Sequence, residues 1–311
     1  MKKILFKSLS FISLFSFLFS CSSEKNANTS SEFCTINDSN NKEVELEYEL
    51  GPNKTASISC YDPYVTNLNI PTYYEDNLVT IINTIKCPNL TTITIPDTVE
   101  RIYSFYNCEK LESVTLPKKL KEIQSNLFKN CFSLKEIKFN ENVEIIGNNS
   151  FENCVNLTSI KLPSNLSQIG EETFLDCQSL KKIELSNIIS ETMFGYCSSL
   201  EEITIPETIK KISASAFTHC NKLKKITIED GVKTIQEDAF RSCSKLSSIF
   251  IPASVTKIEN YAFLTYNENL NIFCEANEKP DGFLEKWNAV SDKYANVTWG
   301  ITRASYEQII K

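Results

Sequence analysis

The chain has one histidine in 311 residues, His219, with two tryptophans, two methionines and seven glycines. With this single histidine in a turn slot shared by other polar residues, the triads that need an imidazole base are not expected. The few glycines form no loop of the kind that cradles phosphate through closely approaching backbone N–H groups. No Cys-x-x-Cys occurs, which argues against zinc, whose sites use closely spaced ligand pairs. Nor is there a basic surplus: 32 Lys and Arg oppose 39 Asp and Glu, and a net charge of −7 opposes a polyanion such as nucleic acid. No apolar run beyond the N-terminal segment reaches the roughly 20 residues of a membrane-spanning helix. An enzyme is not expected, and neither a cofactor nor a metal is implied.

Cysteine, by contrast, is plentiful and periodic. Cys87, Cys108, Cys131, Cys154, Cys177, Cys197, Cys220 and Cys243 are separated by 21, 23, 23, 23, 20, 23 and 23 residues. Scattered disulfide or metal cysteines would not keep that period. A stack of near-identical units must, because each unit presents the same side chain to the same neighbour.

Alignment on the cysteines brings the other apolar residues into columns. Leu90, Leu111, Leu134, Leu157, Leu180, Leu200, Leu223 and Leu246 follow by three, then an Ile/Val column from Ile93 to Ile249 and an aliphatic or aromatic column from Ile95 to Ile251. This Leu-x-x-Ile-x-Ile core alternates like a short strand, and Pro96, Pro117, Pro163, Pro206 and Pro252 end it for want of a backbone donor. A phenylalanine precedes each next cysteine by three, from Phe105 to Phe240, and Phe263 closes the series. Segments such as 237–240 read as one helical or 3₁₀ turn. A 23-residue unit cannot bury these faces alone, so stacking creates the core.

The pattern Cys-x-x-Leu-x-x-Ile-x-Ile-Pro-x-x-Val-x-x-Ile-x-x-x-Ala-Phe-x-x-Cys resembles the BspA-type branch of leucine-rich repeat surface proteins, and lacks the usual Asn/Cys ladder slot of other leucine-rich repeats. The resemblance implies a strand-dominated α/β solenoid with one parallel strand per repeat and short helical or 3₁₀ turns on the convex side. Residues 43–86 are similar to that family's N-terminal cap and degenerate first repeat, 87–273 to its repeats and 274–311 to its closing cap and tail. The interval from Cys177 to Cys197 is three residues short near 186–190, where a local kink is expected.

The first 20 residues read as a secretory signal: Lys2, Lys3 and Lys7 precede a short apolar run. Leu18-Phe19-Ser20-Cys21 resembles the bacterial lipoprotein box, which makes Cys21 the lipidation site and the bacterial cell envelope the address. Residues 21–42 are polar and read as a flexible tether. Buried free thiols are the favoured reading of the ladder. A bond between Cys34 and Cys60, both outside the ladder, stays open.

His219 occupies the same slot as Asn107, Asn130, Asn153, Asp176, Tyr196 and Ser242, a turn position. Binding, if any, falls to the residues between the buried strand positions, which line the concave face of a curved solenoid. A lysine-rich band of Lys135, Lys138, Lys161, Lys181 and Lys182 could receive an acidic protein or glycan, and Phe250 is the one aromatic on this face. The alternative is a solvated face whose charges prevent sheet stacking. The resemblance implies an adhesin-like surface lipoprotein that holds host or neighbouring-cell macromolecules and meets the membrane through its lipid. A structural or antigenic coat component is the competing expectation.

Overall fold

A computed structural model describes residues 31–37 and 42–310. The signal segment and Cys21 lie outside the described residues. The chain winds through about eleven turns of a parallel solenoid with almost no helix. Each turn lays down one strand on a common face, at Asn67–Asn69, Thr92–Thr94, Ser113–Thr115, Glu136–Lys138, Ser159–Lys161, Lys182–Glu184, Glu202–Ile205, Lys225–Ile228, Ser248–Ile251, Asn271–Cys274 and Asn296–Thr298. Register follows the columns: Ile137 pairs with Val114, Ile160 with Ile183, Ile226 with Ile203 and Ile272 with Ile249. Those residues point inward, save that Ile183 in the short repeat is only half-buried, and the alternating ones point to solvent.

Each full repeat also carries a second short strand, which the sequence did not suggest. Glu122–Ile123, Ile145–Ile146 and Gln168–Ile169 pair in parallel, and Lys211–Ile212, Thr234–Ile235, Lys257–Ile258 and Gly282–Phe283 continue the same face. The series breaks at the short repeat. Serine hydroxyls span that gap: Ser190 Oγ donates to the Gly170 carbonyl and Ser213 Oγ to that of Ile189 at 2.7 Å. Three missing residues thus cost one strand and its two pairings, and side-chain donors stand on either side in their place.

On the third side, consecutive turns stand where the sequence suggested a helical turn. Two residues per repeat are left-handed, for example Asn126 and Asn130 (φ 61° and 63°), Asn149 and Asn153, Ser215 and His219. Three residues between the two leave no room for a helix longer than one turn, and the asparagines tolerate the left-handed conformation. The phenylalanines stack along this side with ring centroids 5.1–5.6 Å apart and planes within 17°. Between repeats the Phe128 N–H donates to the Ser150 carbonyl at 2.8 Å and that of Phe151 to Thr173 at 2.9 Å. A wholly buried file of aromatic rings is therefore held in step by its own backbone.

Both ends of the file are closed. At the start, β1 (Ser31–Asn37), β2 (Glu43–Gly51) and β3 (Thr55–Cys60) form an antiparallel cap joined in parallel to Asn77–Ile85. β1 falls inside the stretch that the sequence marked as tether, so residues 31–37 belong to the cap. At the far end Trp287 meets Phe263 edge-on at 6.4 Å, and Phe283 and Trp299 pack on Trp287. A seven-residue helix, α1 (Arg303–Ile309), follows, capped by the Thr302 hydroxyl, which accepts from the Ser305 N–H.

Candidate functional site

The ladder thiols face the interior, all of them buried and unbonded. They are also hydrogen-bond donors: Cys154 Sγ reaches the Phe128 carbonyl at 3.3 Å, Cys177 that of Phe151, Cys220 that of Phe194 and Cys243 that of Phe217. Each of these four thiols thereby ties the turn of one repeat to the preceding one. Burial pushes the Cys108 thiol up to about 11 and that of Cys243 up to about 12. A nucleophilic role would need the opposite, an electropositive and accessible setting.

The open Cys34–Cys60 bond is excluded by topology, because β2 lies between β1 and β3. Two strand spacings amount to about 9.5 Å, beyond the roughly 7 Å limit on Cα separation for a disulfide. Cys60 instead meets Cys87.

His219 is left-handed and stacks on Tyr196 with ring centroids 4.4 Å apart. Burial, and then the charge of Arg241, hold its pKa below the ordinary imidazole value. Its Nδ1 contacts only the neighbouring Thr218 hydroxyl, so no second catalytic group is aligned with it. Among the described residues no three His, Cys, Asp or Glu side chains gather as a metal site would require.

The strand face collects the binding candidates. Lys135, Lys138, Lys161, Lys181 and Lys182 all lie exposed on it. They are not an open cationic band, because glutamates stand among them. Lys135 pairs with Glu112 of the preceding repeat at 2.7 Å, and Lys161 and Lys182 share Glu184 at 3.4 and 3.0 Å. Lys138 approaches Glu136 at 3.8 Å. The Lys182 hydrogen bond, then that of Lys161, holds the Glu184 carboxyl below the usual carboxylate range. Lys224 does the same for Glu201, with a smaller contribution from Lys181. Pairs 23 residues apart meet because strand neighbours face one another across one spacing.

Phe250 lies on this face but is only 3% exposed. The helix α1 folds back over it, which the sequence analysis missed because α1 lies outside the repeat. The Arg303 guanidinium sits 4.9 Å from the Phe250 ring centre and donates to the Ile228 carbonyl at 2.8 Å. Tyr306 packs between Phe250 and Phe273, and its hydroxyl meets that of Ser248 at 3.2 Å. A groove of about 350 Å³ remains beside the helix, lined by Lys225, Thr227, Phe250, Arg303 and Tyr306. Arg303 also pairs with Asp230 at 3.4 Å, across 73 residues of sequence.

Comparison with known proteins agrees with the geometry. A family model described as a BspA type leucine-rich repeat region matches residues 85–189 and 187–280, in six copies. The solved structure of a leucine-rich repeat protein from Bacteroides ovatus is similar at 25% identity and a TM-score of 0.71, covering 82% of this chain and 70% of that one. A leucine-rich cell surface protein from Faecalibacterium prausnitzii shares the fold at 20% identity and a TM-score of 0.56, over 93% of this chain and 97% of that one. No curated protein matches the sequence.

Proposed function

The chain belongs to the BspA-type leucine-rich repeat family, and from that premise we propose that it is a lipid-anchored surface protein that holds protein or glycan ligands on its strand face. The carrying observation is that face itself: successive parallel strands present exposed threonine, serine, lysine and glutamate in fixed register, from Thr92 to Lys225. Such a surface offers many hydrogen-bonding groups at one repeat spacing, which suits a long polar ligand engaged at several points. Lysines and glutamates are largely matched, so it suits a ligand of mixed or modestly acidic character. Catalysis has no support in the buried thiols or in His219.

Anchoring follows from Leu18-Phe19-Ser20-Cys21, with several acyl chains on Cys21 giving stable attachment. Surface display is in keeping with the relative from Faecalibacterium prausnitzii, itself described as a cell surface protein. Pull-down of matrix proteins and glycans by the full chain, against a variant carrying Lys135, Lys138, Lys161, Lys181 and Lys182 each changed to Glu, tests the binding reading. Capture lost in the variant is expected; capture unchanged by the reversals overturns it. Loss of fatty-acid incorporation in Cys21→Ala, with protease shaving of intact cells, tests the address.

One observation favours the coat reading. The aromatics of the strand face, Phe250 and its register partner Phe273, pack under the chain's own helix, and aromatic anchors dominate most binding hot spots. Absence of any captured ligand in the pull-down selects that reading.

A further inference from the structure

The sulfurs of Cys60 and Cys87 lie 3.3 Å apart, the Cys87 thiol donating toward Cys60. Among the described residues no other two thiols make a contact of hydrogen-bond length; Cys108, Cys154, Cys177, Cys197, Cys220 and Cys243 reach carbonyl oxygens instead. The backbone already joins the two segments. Cys60 ends β3 opposite Ile85, and the Lys86 N–H donates to the Cys60 carbonyl at 2.8 Å. Cys87 lies two residues beyond Ile85, and its thiol reaches both the sulfur and the carbonyl of Cys60, at 3.3 and 3.5 Å.

We propose that Cys60 and Cys87 close a disulfide that staples the N-terminal cap to the first repeat in the exported protein. Formation in the cell rests on the export reading above, since disulfides persist in oxidising compartments; the geometry does not depend on it. The oxidant is an external disulfide, either glutathione disulfide or a thiol oxidoreductase in its oxidised form. The Cys60 thiolate attacks one sulfur of that disulfide and displaces the other as a thiolate. Cys87, giving its proton to solvent, then attacks the Cys60 sulfur of the mixed disulfide and releases the second thiolate. Two electrons pass from the pair to the oxidant, whose two thiolates take up the two protons.

Both sulfurs are shielded in the folded protein, so the exchange belongs to folding, before the cap seats. Once the cap is seated, the Cys87 thiol donates to Cys60 and favours the thiolate there. The other ladder thiols lack such a partner and stay reduced.

The test uses the full chain, equilibrated with a mixture of glutathione and glutathione disulfide, with free thiols alkylated in denaturant and peptides mapped by mass spectrometry. A linked peptide pair containing Cys60 and Cys87 is expected, lost in Cys60→Ser, with every other ladder cysteine alkylated. A thiol reductant should lower the melting temperature of the wild type and leave that of Cys60→Ser unchanged. Alkylation of both residues in the wild type, or linkage of either to a different cysteine, overturns the proposal. The same mapping on protein alkylated in intact cells must show the bond too, and its absence there overturns the staple in the exported protein. Protease shaving reports separately on whether the export reading itself fails.

Discussion

The Arg303 guanidinium lies over the face of Phe250, 4.9 Å from its centre, while donating to the Ile228 carbonyl. This cation–π contact, reinforced by Tyr306, pins α1 to the strand face. Replacing Arg303 with Ala should loosen the helix and cost about 1 kcal/mol. Hydrogen exchange should speed up across 303–309 and binding of a hydrophobic dye should rise as Phe250 and Phe273 are uncovered. Unchanged protection of the helix would show that Tyr306 alone holds it.

The phenylalanine file makes the middle of the solenoid sensitive to truncation. Phe174 stacks between Phe151 and Phe194 with no exposed edge. Phe174→Ala is expected to cost about 3–5 kcal/mol, and Phe174→Leu clearly less because it keeps most of the volume. Urea unfolding of the two variants reads the difference, and equal losses would mean that ring stacking matters more than filled space.

Thr192 is a β-branched residue at φ +50°, in the short repeat and in the column that holds Asn126 and Asn149. A left-handed conformation strains it by about 1–2 kcal/mol. Thr192→Asn should therefore raise the unfolding midpoint, with a gain of about 1 kcal/mol in chemical denaturation. A loss would mean that the Thr192 methyl packing beside Gly195 outweighs the strain.

Alkaline pH should weaken the solenoid. Burial raises the thiols of Cys108 to about 11 and of Cys243 and Cys274 to about 12, while an unfolded thiol titrates near about 8.5. Between those values the folded state keeps protons that the unfolded chain has released. Stability is thus fully present below about pH 8.5 and is lost progressively as pH rises toward about 12. Denaturation midpoints measured between pH 7 and 11 should fall, and Cys243→Ala should flatten the fall. An identical slope in the variant would assign the alkaline loss to other groups.

The repeating columns made the stack legible from the sequence alone: an apolar side chain recurring every 23 residues has to meet its own copy, so the parallel strands, the inward thiols and the phenylalanine file were all implied by spacing. The caps were expected from the family resemblance rather than from the spacing, and β1 lay outside that expectation. Three things were decided only by the folded chain. The left-handed turns depend on backbone angles that Asn, Glu, Thr and Tyr all adopt here, so no single residue type announces them. The pairing of lysine with glutamate depends on which side chains meet across a repeat, which converts an apparent cationic band into a matched polar surface. The covering of Phe250 and the meeting of Cys60 with Cys87 join non-repeating ends to the repeat, and a contact made once has no period to betray it.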